Sequence, residues 1–173
     1  MKLVLAVFSF ILTLQLQAQT VKSKALQLKY TTPAGWNAEE FGGKNDWDES
    51  GNKLCKCSGL HFTKPKNNGL LHVVVYPSTV NGLDSSKRDM VGNLRFVPVE
   101  KYDKTRNKNF SFEKRRSVFE DAKSKNKSFE VIRYKAKVED HFYLFYTWQE
   151  KQGAMDPDTE KELFEVINSI EPL

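Results

Sequence analysis

From residue 128 to residue 148 the chain alternates as extended backbone does. Ile132, Tyr134, Ala136 and Val138 share one parity and Arg133, Lys135 and Lys137 the other; after Glu139-Asp140, residues 141–148 (HFYLFYTW) are apolar or aromatic on both. Two such strands joined across two residues predict a β-hairpin of fixed register. A strand apolar on both faces belongs inside a sheet, so something must pack on each side. Part of that cover is read as a closing helix. Asp156 is its N-cap, Pro157 its first residue, acidic residues fill its first turn, and Leu163, Phe164, Val166, Ile167 and Ile170 form its apolar stripe.

Earlier segments follow the same logic. Residues 26–30 alternate as a strand that ends in the turn Pro33-Ala34-Gly35-Trp36. Residues 42–53 have loop composition. Residues 54–62 and 70–76 predict a second hairpin across 64–69. Asp84-Ser85-Ser86 caps a short predicted helix running to about Phe96, with Met90, Val91 and Leu94 on one side. Residues 101–127 show no clean period and carry only fragments of strand, at 110–112 and 117–119.

Three stretches together carry a resemblance: Tyr30-Thr31-Thr32-Pro33-Ala34-Gly35-Trp36, Phe142-Tyr143-Leu144-Phe145-Tyr146, and Leu163-Phe164-Glu165-Val166-Ile167-Asn168-Ser169-Ile170. In their order and spacing the chain resembles the PsbP-like superfamily, which includes many small exported bacterial proteins. The resemblance implies an α+β fold, an antiparallel β-sheet with helices packed on its faces (an α/β/α sandwich). It also implies members that act as binding or assembly factors rather than as enzymes.

The first residues change the compartment. One lysine, an apolar run from Leu3 to Leu14 and Ala18 in a polar exit have the layout of a secretory signal peptide, so residues 1–19 are read as the signal and 20–173 as one domain. The expected location is periplasmic or extracellular, for a monomer without a transmembrane segment. The chain carries 27 Lys+Arg against 22 Asp+Glu, a formal net charge of +5. Much of the excess lies in residues 101–137, where thirteen basic residues face five acidic ones. Arg115, Arg116, Arg133, Lys135 and Lys137 are the expected contacts for an acidic protein, glycan or lipid headgroup; export argues against nucleic acid.

Candidate chemistry is sparse. In an extended strand Cys55, Cys57 and His61 share a face, a ligand set for zinc or copper(I) that His72 on the next strand could complete. Same-face residues two apart have Cα atoms about 6.5 to 7 Å apart, which makes a Cys55–Cys57 disulfide awkward, and two packed thiols are the favoured reading. Asp46, Asp48, Ser50 and the following Gly51-Asn52 match the first half of a calcium loop, whose twelfth position is Cys57 instead of Glu. Trp148, Tyr146 and Tyr143 could line a groove, and His141 stands beside Asp140. No nucleophile, zinc-protease, phosphate-loop or dinucleotide motif occurs. The sequence therefore reads as an exported non-enzymatic binding or assembly module without resident cofactor or catalytic residues; the alternative is a metal-binding protein using the cysteines and His61, or the calcium loop.

Overall fold

The computed structural model describes residues 20–42, 46–47, 53–55, 58–67, 69–78, 90–91, 94–101, 103–121 and 128–173. Its elements run β1 (Thr20–Ser23), β2 (Leu28–Thr31), β3 (Asn37–Phe41), β4 (Asp46–Trp47), β5 (Lys53–Cys55), β6 (Gly59–Lys66), β7 (Gly69–Ser78), β8 (Met90–Val91), β9 (Leu94–Pro98), β10 (Asp103–Arg106), β11 (Ser111–Asp121), β12 (Ser128–Val138), β13 (His141–Gln149), α1 (Pro157–Asn168) and β14 (Ile170–Pro172). All strand pairings named here are antiparallel. The large sheet has the order β3-β6-β7-β13-β12-β11-β9-β8, with β10 also on β11; β1-β2-β14 and β4-β5 form two small ones.

Local chemistry sets the connections. Val138 opposite His141 closes the predicted hairpin across Glu139-Asp140, and Lys66 opposite Gly69 closes the other across two residues. Glu139 and Asn67 take the left-handed backbone that such tight turns require, at φ 52° and 50°. In the first turn the Trp36 N–H donates to the Pro33 carbonyl at 3.1 Å, and Gly35 at φ 78° occupies the position where a side chain would be strained.

β13 lies between β7 and β12, the interior place its two-sided apolarity predicts. On one face Leu60, Phe62, Val73, Val75, Ile132 and Phe145 are fully buried and meet Leu163, Val166 and Ile167 of α1. The helix starts where expected: Asp156 accepts from the Thr159 N–H at 2.8 Å, with Pro157 following. Two of its acids, Glu160 in the first turn and Glu162 in the second, then reach the sheet on both flanks. Glu162 binds Lys64 at 2.6 Å and Lys66 at 2.9 Å, both from β6. Glu160 binds Lys114 and Arg116 of β11, each at 2.5 Å, and Arg116 also binds Glu130 at 2.7 Å.

Several expectations need correction. Among the described residues one helix covers one face, so the molecule is sheet-dominated instead of a sandwich with helices on both faces. The helix expected to reach Phe96 gives way to β8 and β9, where Val91 pairs with Leu94; Gly92-Asn93 between them is a two-residue hairpin signal, and the capping residues 84–86 lie outside the described residues. The strand expected over 54–62 is divided into β5 and β6, and β4, inside the expected loop, pairs with β5 at its end. Apart from Phe110, the fragments at 110–112 and 117–119 fall on one strand, β11, obscured in sequence because Lys114 and Arg116 occupy its core-side parity. Ile170 leaves the helix stripe and pairs with Tyr30.

Beside β11 the margin is broken. Pro98 stands opposite Ser117 but Asp103 opposite Lys114, so β9 and β10 follow one another with two extra residues between them. Val99 at this break donates its N–H to the Arg116 carbonyl at 3.2 Å while its side chain is 51 % exposed.

Burial alone would raise the Glu160 carboxyl, but hydrogen bonds from Lys114 and Arg116 outweigh it and hold the group below the usual carboxylate range. A depressed carboxylate contributes stability above its unfolded value of about 4.3 that disappears as pH falls through the folded value. Glu160→Gln is expected to cost about 1 kcal/mol at pH 7 and to flatten the acid side of the stability curve below about pH 4.5. Urea midpoints from pH 3 to 7 check this; an unchanged acid limb would contradict the clamp.

Candidate functional site

Strand parity sends His61, His72, Val74, Tyr146 and Trp148 to the face away from α1. His72 is directly opposite Trp148, and His61 is opposite Val74, which places the two histidines on a cross-strand diagonal. Glu150 follows β13, anchored by its N–H on the Leu70 carbonyl at 2.9 Å. Gly69 is required beside it: a Cβ there would stand 2.7 Å from the Glu150 carbonyl oxygen.

The four side chains form one chain of contacts. His61 Nε2 is 2.9 Å from His72 Nδ1, and His72 Nε2 is 3.0 Å from Glu150 Oε1. A carboxylate only accepts, so His72 donates from Nε2, keeps a lone pair on Nδ1 and receives the Nε2–H of His61; Nδ1 of His61 is the open end. The ring centroids are 5.2 Å apart with planes 20° apart, so the imidazoles meet edge to edge along the nitrogen–nitrogen line. Trp148 lies parallel to both: 4.4 Å and 7° from His72, 6.2 Å and 21° from His61.

His72 is 6 % exposed and His61 half-buried. Burial holds both below the ordinary imidazole value, and for His61 the neighbouring ring adds to it; Glu39, across β3, and Glu150 pull the other way without prevailing. The pair is neutral at neutral pH, and the lone pair left open is that on Nδ1 of His61.

The other candidates fall out as follows. Cys57, Asp48 and Ser50 lie outside the described residues. Asp46 and Cys55 are backbone partners across β4 and β5, their side chains undescribed. Among the described residues no three His, Cys, Asp or Glu side chains gather as a metal site. Arg116 is on the helix side, held by Glu160, Glu130 and Glu100. Arg115 and Arg133 are cross-strand partners on the far face, with Lys135 and Lys137 on the same parity; Arg133 is only 4 % exposed and Lys137 is exposed over the Phe142 ring at 5.6 Å. Tyr143 is core, its hydroxyl donating to the Gln27 carbonyl at 3.1 Å, so the three groove aromatics divide between faces. The His141 ring stacks beside Tyr143 at 6.4 Å. Glu150 was not singled out from sequence, nor were Lys104 and Arg106, whose positions opposite Glu113 and Ser111 put them on the far face.

Two comparisons with known proteins return nothing: no family model and no curated protein matches. Among solved structures the chain is similar to cyanobacterial PsbP (CyanoP) from Synechocystis sp. PCC 6803, at 12 % identity over 90 % of this chain and 92 % of that one, with a TM-score of 0.49. No functional residue is carried across at that distance.

The tautomers can be read directly. Nitrogen-15 correlation spectra at pH 7.5 are expected to show His61 and His72 both protonated at Nε2, and Glu150→Gln to admit the other tautomer of His72. A wild-type His72 protonated at Nδ1 would contradict the assigned direction of the chain.

Proposed function

We propose that this chain is an exported, non-enzymatic binding or assembly module that holds an acidic partner on the sheet face opposite α1. One observation carries the reading: strand alternation sorts the basic segment into two sets with different work. Lys114 and Arg116 turn toward the helix and are consumed by Glu160 and Glu130. Lys104, Arg106, Arg115, Arg133, Lys135 and Lys137 share the far face of β10, β11 and β12, where Glu113 is the one carboxylate among the described side chains.

Neighbouring strands are about 4.8 Å apart and same-face residues on a strand about 6.7 Å, so the cations on this face form a grid whose exposed members are spaced to meet an extended anion. Lys104, Arg106 and Lys137 are its exposed members. Lys137 sits over Phe142, which gives the grid an apolar foothold. The signal-like first residues supply the compartment in which an acidic protein, glycan or headgroup is the partner to expect.

Binding to immobilised polyglutamate separates the two sets of cations. Arg106→Glu with Lys137→Glu is expected to weaken binding roughly tenfold at low salt while leaving the melting temperature nearly unchanged. Lys114→Glu should do the reverse, and Lys161→Glu on the exposed side of α1 should change neither. Equal binding by the double variant and the parent would refute the cationic face.

A further inference from the structure

We propose that His61 and His72 form a two-coordinate site for a soft monovalent d10 cation, copper(I) in chemical class, with Trp148 beneath it and Glu150 behind it. The site stands apart from the anionic-partner reading and from the cysteines. Its basis is direction: the facing nitrogens point at each other along the line between two rings only 20° from coplanar. Once the proton between them has moved away, the two nitrogen lone pairs are opposed at nearly 180°, as a linear d10 ion takes them. Zinc, which wants four ligands in a tetrahedron, finds no third and fourth His, Cys, Asp or Glu gathered there among the described residues.

The required movement is small. With metal–nitrogen bonds of about 2 Å, the nitrogens must separate from 2.9 Å to about 4 Å. His61 is half-buried near the sheet margin, and turning its ring supplies that opening. His72 already presents a lone pair at Nδ1, and its Nε2–H stays on Glu150, the carboxylate–histidine–metal arrangement that fixes a ligand's tautomer and raises its basicity. His61 moves its proton from Nε2 to Nδ1 through solvent, so uptake releases no net proton and changes no oxidation state.

Trp148 supplies the third element. An ion on the line between the two rings stands over the face of an indole parallel to both, where the ring quadrupole attracts it.

Thiolates bind copper(I) strongly, so the experiment uses the whole mature chain carrying Cys55→Ser and Cys57→Ser. Titration with silver(I), and with copper(I) under reductant against a chromophoric chelator, is expected to give one bound ion and quenched tryptophan fluorescence. His72→Gln or His61→Gln should weaken binding at least 100-fold, and Glu150→Gln about tenfold. Trp148→Phe should retain the ion but lose the fluorescence response. Metal-free melting curves identify any variant that merely misfolds; His61→Gln, at the half-buried position, keeps the test open if His72→Gln does not fold. No ion bound once the cysteines are gone, binding unchanged in both histidine variants, or zinc bound in preference to silver would each overturn the proposal.

Discussion

The two-residue turn at Glu139-Asp140 fixes the parity of the large sheet, and the rest of the molecule is built on that parity. With Val138 held opposite His141, β12 and β13 pass their register outward to β11 on one side and to β7 and β6 on the other. A slip of one residue would turn Ile132 and Phe145 away from α1 and bring Arg133 and Tyr146 against it. It would also remove the helix's footing, because Lys64 and Lys66 on β6 and Lys114 and Arg116 on β11 reach Glu162 and Glu160 only in the observed alternation. The helix and the sheet therefore specify each other, through apolar contact along the middle and charge at the two flanks.

That arrangement makes the electrostatics of the molecule two-sided. On the sheet face beneath the helix every basic group named has a carboxylate partner, and Arg116 has three, so charge there serves geometry. Partly buried clusters of this kind add little net stability when intact but are costly to break, since the remaining member is left without its counterion. On the other side the same strands carry their alternate residues, and the basic ones collect over β10, β11 and β12. The imidazole pair stands on that side too, three strands from Arg133 along the row Arg133, Tyr146, Val74 and His61. A single alternation thus separates the charges paired beneath the helix from those on the opposite face.

How much of this the sequence disclosed follows from the range of each interaction. The aromatic hairpin and the start of α1 were legible because a turn, an N-cap and a proline act within four residues. Ile170 was misplaced because its partner, Tyr30, is contributed by the far end of the chain. β11 was obscured for a different reason: a core-facing lysine and arginine look like solvent-facing ones until their carboxylates are brought in by α1. The histidine pair was half legible. His61 could be assigned a face from its own strand, whereas the parity of His72 depends on the register with β6, and the position of Glu150 depends on a further register, between β7 and β13. The Gly92-Asn93 signal lay in plain view, but the apolar residues around it also fit a helical spacing.

The break between β9 and β10 has a consequence for the molecule in a crowded compartment. A long unbroken outermost strand is a template on which a second chain can add itself. Here the two extra residues interrupt the row of free backbone groups, Pro98 contributes no N–H, and Asp103, Lys104 and Arg106 line the next segment with charge. That border is thereby a poor template for a second chain, whatever the length of sheet behind it.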